Sequence, residues 1–244
     1  MTRRDLHTHT TFCDGKDTPE AMVQEAIRKN MTCIGFSGHS YTFFDESYCM
    51  SPDGTWAYRR EIQRLKNLYG SRIEILCGVE QDFYSTASTD GFDYIIGSVH
   101  YLKAGEHYIP VDESPEILKS AAKNYYGGDI YLLVEDYFNT VAQVVTKTGA
   151  NIIGHFDLIT KFNDQEPLFD ESHPRYEAAW KKALDILLPF QVPFEINTGA
   201  ISRGYKALPY PAPRILCYIR DRGGKTIMSS DSHRKETLCF AFDQ

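Results

Sequence analysis

Polar motifs rich in histidine and carboxylate recur along this 244-residue chain, most of them directly after a short apolar stretch. They hold six of the eight histidines and read Asp5-Leu6-His7-Thr8-His9, Ser37-Gly38-His39-Ser40, Gly78-Val79-Glu80, Ser98-Val99-His100, Gly154-His155-Phe156-Asp157, Glu195-Ile196-Asn197 and Ser230-Asp231-Ser232-His233. Imidazole and carboxylate groups bind divalent metal ions. A single histidine is more often a core or surface residue, but six in equivalent places predict a shared metal centre.

The spacing within the first and last motifs supports this prediction. His7 and His9 stand two residues apart, so they share one face of a strand. Asp231 and His233 repeat the same spacing near the end of the chain. In a closed barrel the first and last strands are neighbours, so the two pairs are expected to converge. Asp14 follows the first motif and could reach the same centre, although an aspartate before a glycine is also common in turns.

The donor set indicates which metals and which reaction to expect. It is made of imidazole and carboxylate without thiolate, which favours Zn, Mn or Fe. The donors outnumber the three or four ligands of one zinc site, so two or three ions are predicted. A bridging carboxylate such as Glu80 would keep these ions close together. Close-set metal ions suit displacement at phosphorus, because they generate hydroxide at neutral pH and neutralise the entering and leaving oxygens.

Alternating strands and helices would place these motifs at one end of a barrel. Predicted strands cover residues 4–6, 34–37, 73–78, 94–99, 151–154, 192–196 and 226–229, and predicted helices cover 56–69, 130–148, 175–188 and 214–222, with another begun by Thr18 and Pro19. Such alternation predicts parallel β/α units in a single domain over residues 1–244. The carboxyl ends of barrel strands are where barrel enzymes carry their active sites. Residues 239–244 are expected to lie in a closing helix.

The bulk composition narrows the class of protein. A net charge of −7 argues against a nucleic-acid-coating surface. The six cysteines form no C-x-x-C pair, and we expect them to be reduced. The start of the sequence does not read as a secretory signal, and no apolar run approaches the ~20 residues of a membrane span. We therefore expect a cytoplasmic protein without nucleic-acid or membrane partners; the sequence leaves its oligomeric state open.

The ordered motifs resemble those of the polymerase-and-histidinol-phosphatase (PHP) superfamily over nearly the whole chain. The residues that carry the resemblance are the opening His7-Thr8-His9, then His39, Glu80, His100 and His155, and the closing Asp231-Ser232-His233. Three further stretches resemble the histidinol-phosphate phosphatase branch, namely Gly97-Ser98-Val99-His100, Gly154-His155-Phe156-Asp157-Leu158-Ile159, and Glu195-Ile196-Asn197-Thr198 followed by Arg203-Gly204. The resemblance implies a distorted (β/α)7 barrel that holds up to three metal ions.

The resemblance also implies a ligand set for each ion. The first ion would be held by His7, His9, Glu80 and Asp231, the second by Glu80, His100 and His155, and the third by Asp14, His39 and His233. Where some members of the family have a histidine after the first motif, this chain has Asp14, which bears on the occupancy of the third ion. We expect Glu80, Asp231 and His233 to act in catalysis.

The reaction implied by the resemblance is hydrolysis of L-histidinol phosphate to L-histidinol and phosphate, a step of histidine biosynthesis. The residues by themselves predict only hydrolysis of a phosphate ester by clustered metals. Three alternatives therefore stay open: a phosphatase of another small ester, a nuclease or phosphodiesterase on the same scaffold, and a metal-stabilised module without activity. The acidic net charge disfavours the nuclease.

Substrate-binding residues are predicted from their position beside the motifs. Arg203 and Lys161 could bind a phosphate dianion, which needs cationic partners in addition to metals. The segment 102–128 is longer than a simple connection and rich in tyrosine, proline and acids, so we expect it to cross over the site. Tyr101 and Asp112 would then contact the imidazole-bearing end of the substrate. Alternatively, the two cations are solvated and the segment is a plain surface loop.

Overall fold

Within residues 3–243, which the computed structural model describes, seven parallel strands form one curved sheet and lie side by side in chain order. The strands are β1 (Arg4–Asp5), β2 (Cys33–Phe36), β3 (Glu74–Asp82), β4 (Tyr94–Ser98), β7 (Ile152–Ile153), β8 (Phe194–Asn197) and β9 (Thr226–Ser229), and a separate hairpin holds β5 (Tyr101–Ala104) and β6 (His107–Pro110). Beyond the ends of β1 and β9, a parallel bridge between Thr8 and Ser232 closes the sheet. The predicted seven-stranded barrel is confirmed, with its closure reduced to this one bridge.

Helices follow the strands and cover the outside of the barrel. They are α1 (Pro19–Arg28), α2 (Pro52–Tyr69), α3 (Pro115–Tyr125), α4 (Ile130–Val141), α5 (Val144–Thr148), α6 (Pro174–Leu187), α7 (Gly199–Ser202) and α8 (Pro213–Asp221). As predicted, Thr18 caps α1: its hydroxyl accepts a hydrogen bond from the Ala21 amide at 3.3 Å. α2 starts four residues before the predicted 56, because Ser51 caps it and Pro52 suits the first helical position. No described helix has the length and apolar character needed to cross a membrane.

Two predicted helical segments differ from the structure. The predicted helix 130–148 is divided into α4 and α5 at Ala142 and Gln143, where Gln143 has φ −102° and ψ −3°, about 40° from the ideal helical values. Gly149 ends the second piece in the left-handed conformation, as its position indicated. The closing helix predicted for 239–244 is wrong over the described residues. Cys239 and Ala241 have φ of 54° and 58°, which a right-handed helix does not allow, and Gln244 lies outside the described range.

Tyr94 fills the barrel interior beneath the strand ends. Its hydroxyl donates to the Leu6 carbonyl at 2.6 Å and lies 3.0 Å from the Phe36 carbonyl oxygen, so one side chain joins the first, second and fourth strands. Gly35 and Gly78 leave room for this ring, since a Cβ at either position would lie within 2.4 Å of Tyr94 atoms. The glycines of the second and third strands thus allow the barrel to close around an aromatic ring.

The predicted excursion after His100 is an ordered structure. It forms the β5–β6 hairpin and then α3, and buried Leu102, Ile109 and Leu118 tie it to the main core. The third strand, β3, extends four residues beyond its predicted end and runs to Asp82. Glu80 therefore lies inside a strand, where pairing with β4 on one side and a bridge to His39 on the other hold its backbone rigidly.

Candidate metal centre

The six motif histidines and their carboxylates meet around Glu80 at the carboxyl end of the barrel. Glu80 is 1% exposed, and its two oxygens face different groups of imidazoles. Oε2 lies 3.1 Å from His7 Nε2, 3.4 Å from His9 Nε2 and 3.0 Å from His39 Nδ1. Oε1 lies 2.9 Å from His155 Nε2 and 3.3 Å from His100 Nε2. One carboxylate therefore stands between two sets of donors, which is the geometry required of a bridging ligand.

Asp231 completes the first set from the opposite end of the chain. Its Oδ1 lies 3.7 Å from His7 Nε2 and 3.5 Å from His9 Nε2. Asp231 has a φ of 49°, a conformation that a non-glycine residue adopts only where its surroundings enforce it. Arg203 helps to hold this conformation, because its guanidinium donates hydrogen bonds to the carbonyl oxygen of Asp231 at 2.9 Å and to Oδ2 at 3.0 Å.

Asp14 gathers a third set of donors. Its Oδ1 lies 3.7 Å from both His9 Nδ1 and His39 Nε2, and its Oδ2 lies 3.1 Å from His233 Nε2. One ligand atom from each of these four residues fits within 4.8 Å of all the others. The structure thus brings together all nine of the proposed ligands. The other two histidines lie elsewhere: His107 is exposed on the hairpin, and His173 caps α6 by accepting from the Arg175 amide.

Unpaired buried atoms show that this centre fits metal ions. Among the described residues, these atoms have no hydrogen-bond partner although they are buried: His7 Nε2, His9 Nε2, Asp14 Oδ1, Glu80 Oε2, His100 Nδ1 and His155 Nδ1. Leaving a buried polar atom unpaired costs free energy, so such atoms are rare unless something else binds them. The four atoms on His7, His9, Asp14 and Glu80 face other donors of the centre, as ligands of divalent cations do, whereas His100 and His155 face Glu80 through Nε2.

The electrostatics favour positive charge at the centre. Burial alone would raise the pKa of the Glu80 carboxyl, but the surrounding histidines outweigh it and hold that pKa well below its usual value. Burial would likewise raise the pKa of the Asp231 carboxyl, but nearby positive charge, mainly that of Arg203, holds this pKa well below its usual value. Burial, with repulsion from neighbouring imidazoles, lowers the pKa of His9 to about 3. At His7, His39 and His100 the nearby carboxylates outweigh burial and raise the pKa of each ring, so a bound metal ion would displace protons from them.

Glu195 orients one of the ligands and has no predicted role from the sequence. Its Oε1 lies 2.6 Å from His7 Nδ1, which directs His7 Nε2 to Glu80. Its Oε2 accepts from the His155 amide at 3.0 Å and from the Asn197 side chain at 3.1 Å. Carboxylates behind metal-binding histidines fix the tautomer and the ring orientation in this way. The Glu195-Ile196-Asn197 motif signalled a strand end but not this contact.

Asp82 lies behind the His100 ring, as Glu195 lies behind the His7 ring. Its Oδ2 lies 3.4 Å from His100 Nδ1 and accepts from the His100 amide at 3.2 Å. Asp82 follows Glu80 by two residues in β3, so both side chains are on the same face of the strand. This spacing of two could have identified Asp82 from the sequence, had the strand been predicted to extend that far.

A pocket of about 360 Å³ opens above the metal centre, and all four predicted substrate-binding residues line it. Arg203 Nη1 lies 3.2 Å from His233 Nδ1, so the guanidinium reaches the edge of the donor cluster. Lys161 Nζ donates to the Asp112 carbonyl at 2.6 Å and lies 3.3 Å from its Oδ2. Tyr101 donates its hydroxyl to Asp45 Oδ2 at 2.7 Å.

Two further acidic residues line this pocket: Glu113 is one of the acids of the predicted excursion, whereas Asp45 was not predicted. Asp45 lies in the loop after the His39 motif, and Glu113 follows Asp112 in the excursion; both line the pocket. Asp112 is engaged by Lys161, whereas the Glu113 carboxylate makes no ion pair or hydrogen bond within residues 3–243. No sequence signal marks Asp45, because only the folded chain brings its loop to Tyr101.

Comparison with known proteins gives a consistent result. The model of the PHP domain family matches residues 5–199. Two curated relatives are both named probable histidinol-phosphatase. The one from Schizosaccharomyces pombe is 29% identical and covers 93% of this chain and 79% of its own length. The one from Deinococcus radiodurans is 28% identical and covers 98% of this chain and 89% of its own length.

Two solved structures share the fold. A candidate histidinol phosphatase from Listeria monocytogenes superposes with a TM-score of 0.84 at 21% identity, over 99% of both chains. The histidinol phosphate phosphatase of Lactococcus lactis, solved with zinc, L-histidinol and phosphate, superposes with a TM-score of 0.70 at 22% identity, over 96% of this chain and 87% of that one. The whole described barrel therefore has counterparts in known structures.

Proposed function

This chain belongs to the PHP domain family, and from that premise we propose that it is a metal-dependent phosphomonoesterase that hydrolyses L-histidinol phosphate to L-histidinol and phosphate. The observation that carries the proposal is the nine-residue donor cluster with Glu80 between its two halves, beneath a pocket lined by both cations and acids. The names of the two curated relatives and the ligands of the Lactococcus lactis structure support the choice of substrate. The reaction would serve histidine biosynthesis, and a cytoplasmic location stays a prediction.

Two to three divalent ions, zinc, manganese or iron, are the proposed cofactors. His7, His9, Glu80 and Asp231 would hold the first, Glu80, His100 and His155 the second, and Asp14, His39 and His233 the third. Zinc is favoured by the metal of the Lactococcus lactis structure. Such ions supply a hydroxide at neutral pH and neutralise charge on the phosphoryl oxygens.

The side chains around the ions would bind and orient the phosphoryl group. Arg203 and Lys161 both line the pocket, and we assign them to phosphoryl oxygens, Arg203 through its planar fork. Arg203 lowers the pKa of Asp231 and so keeps this carboxyl ionised. Asp231 Oδ1 lies 3.6 Å from His233 Nδ1, so the two side chains are on the same side of the centre. We therefore keep Asp231, His233 and Glu80 as the residues that act directly at the reacting phosphorus.

The acidic wall of the pocket would recognise the organic end of the substrate. L-histidinol carries an ammonium group and an imidazole, and carboxylates with aromatic rings suit such groups. Tyr101 and Asp112 line this side of the pocket, but the Asp112 carboxylate is already paired with Lys161. Glu113 lies on the same wall and is the more available anion, whereas Asp45 already accepts hydrogen bonds from Tyr101 and Ser47. The competing interpretation is that these side chains only pack the excursion onto the barrel.

The proposed function is tested with a panel of three phosphate esters on metal-loaded protein. We expect phosphate release from L-histidinol phosphate to have the highest kcat/KM, p-nitrophenyl phosphate to be slower, and bis-p-nitrophenyl phosphate to be cleaved least. Preference for the diester would instead assign the chain to the phosphodiesterases. No turnover of any ester by protein with verified metal content would leave the metal-stabilised module as the better description.

A further inference from the structure

A second cavity of about 460 Å³ lies beside the pocket above the metal centre. Asp14, Arg203, Tyr205 and His233 line both spaces, so these four side chains form the boundary between them. On its outer side the second cavity is bounded by residues that the proposed reaction does not use, among them Lys16 and Arg234. We call this space the side cavity.

The side cavity is strongly cationic in a chain whose net charge is −7. Lys16, Arg203 and Arg234 line it, against a single acid, Asp14. Asp14 is occupied by His233 Nε2 at 3.1 Å and belongs to the metal centre. Within residues 3–243, the side chains of Lys16 and Arg234 make neither an ion pair nor a hydrogen bond. Unpaired cations that share one concave surface produce a positive potential that attracts anions.

The backbone holds these two cations next to the metal centre. The Lys16 amide donates to the His233 carbonyl at 2.8 Å, and Lys16 is two residues beyond Asp14. Arg234 directly follows His233 in the chain. Both cations are therefore carried on loops whose neighbouring residues are proposed ligands, while Arg203 lies between the two spaces.

We propose that the side cavity is a second phosphate-binding site, separate from the metal centre and reached from it past Arg203. The ammonium group of Lys16 and the guanidinium group of Arg234, with Arg203 held beside them on Asp231, match the charge and the tetrahedral acceptor oxygens of phosphate. The ligand is either the inorganic phosphate that leaves the metal centre or the second phosphoryl group of a bisphosphorylated substrate. This second site rests on the proposed function in one respect only, namely that the chain binds phosphate groups.

The test is calorimetric titration of metal-loaded protein with inorganic phosphate. The variant is Lys16→Gln/Arg234→Gln, and the matched control is Arg72→Gln/Lys225→Gln, which makes the same charge change at exposed residues before β3 and β9, at the other end of the barrel. We expect two phosphate equivalents per chain in the wild type and the control. In the variant the second equivalent should weaken by on the order of tenfold, because it loses two charge-assisted contacts.

Kinetics then distinguish the two sources of phosphate. If the ligand is the leaving product, inorganic phosphate should inhibit the variant less than the control. If it is a second phosphoryl group, fructose 1,6-bisphosphate should have a lower KM than fructose 6-phosphate in the control, and the difference should disappear in the variant. A single phosphate equivalent in the wild type, or identical isotherms for variant and control, would overturn the proposal. The titration needs no turnover, so failure to hydrolyse L-histidinol phosphate would refute the proposed function and leave this result unaffected.

Discussion

The floor and the rim of the pocket are built in different ways. The floor, which we define as His7, His9, Glu80 and Asp231, stands on barrel strands or directly beyond them, and none of its side chains is more than 8% exposed. The rim, defined as Asp45, Tyr101, Asp112 and Glu113, lies on the loop after β2 and on the excursion, and the Asp112 side chain is 28% exposed. Floor residues face each other around a common centre, whereas Tyr101 and Asp112 have ordinary partners, Asp45 and Lys161.

The difference indicates what each region can contribute. Several floor atoms are buried and have no hydrogen-bond partner, so a bound cation would stabilise them strongly and its removal would cost correspondingly more free energy. Three rim side chains, those of Asp45, Tyr101 and Asp112, already have partners, and the Asp112 side chain is partly solvated, so exchanging a partner for a substrate group changes the free energy little. We therefore expect large effects on metal binding and rate from the floor, and smaller effects confined to substrate selection from the rim.

Removal of the metals is the strongest test of the floor. Exhaustive chelation should abolish phosphate release, and added zinc or manganese should restore it. Because the histidine ligands must be neutral, protons compete with the metals. Activity should therefore be lost progressively as the pH falls through about 6, and the loss should begin at higher pH because carboxylates raise the pKa of His7 and His100. The check is activity against metal content across a pH series. Full activity in protein verified as metal-free would contradict the assignment of the floor.

Glu80→Gln should have the largest effect of any single substitution. An amide cannot supply the two negatively charged oxygens that face different donor sets, so both sites should weaken together. We expect metal content to fall by more than one equivalent per chain, measured by mass spectrometry of the metals. Glu74→Gln, at the exposed start of the same strand, is the control. Intact metal content in Glu80→Gln would show that Glu80 is not the bridge.

Glu195→Gln separates the orientation of a ligand from direct ligation. The amide is the same size but removes the charge behind His7 Nδ1, so the preferred tautomer of His7 should weaken. We expect metal affinity to fall by roughly 10- to 100-fold, as is usual when such a partner is lost. Nitrogen NMR of the His7 ring should show the tautomer change, which a purely structural role would leave unaltered. Unchanged affinity and an unchanged ring spectrum would mean that the strands alone position His7.

Arg203→Ala tests the side chain that joins the floor to the substrate. Loss of its bonds to the phosphoryl group should raise KM by about 10-fold or more, the range expected for hydrogen bonds to charged groups. If the contact is equal in ground and transition states, kcat should change less than KM. Arg203→Lys keeps the charge but not the fork, so it should recover part of the loss. An unchanged kcat/KM in Arg203→Ala would remove this residue from the site.

The smallest effects are expected at the rim, and only with one substrate. Asp112→Asn or Tyr101→Ala should lower kcat/KM on L-histidinol phosphate and leave p-nitrophenyl phosphate unaffected, because that ester lacks the ammonium and imidazole groups. Glu113→Gln should behave in the same way, since its carboxylate is less engaged. Equal losses on both esters would indicate damage to the fold or the metals. If no rim variant has an effect, selectivity must come from another part of the pocket.

The sequence alone determined most of the barrel and the composition of the donor cluster. Strand-ending motifs such as Ser230-Asp231-Ser232-His233 combine two local rules, a short strand followed by donors two residues apart. Parallel strands end at one edge, so motifs far apart in the chain converge without further information. This is why all nine proposed ligands meet in the structure, while their role in binding metal stays a prediction.

Only the tertiary structure decided the partners of those groups. The contact of Glu195 with His7, the pairing of Asp45 with Tyr101 and the cationic side cavity each join residues from different parts of the chain. The division between α4 and α5 and the turns after Leu238 were likewise absent from the pattern, since no glycine or proline marks them. Periodicity constrains which face a side chain takes within its own strand or helix. It does not constrain loops, whose side chains acquire partners only when the folded barrel brings them within bonding distance.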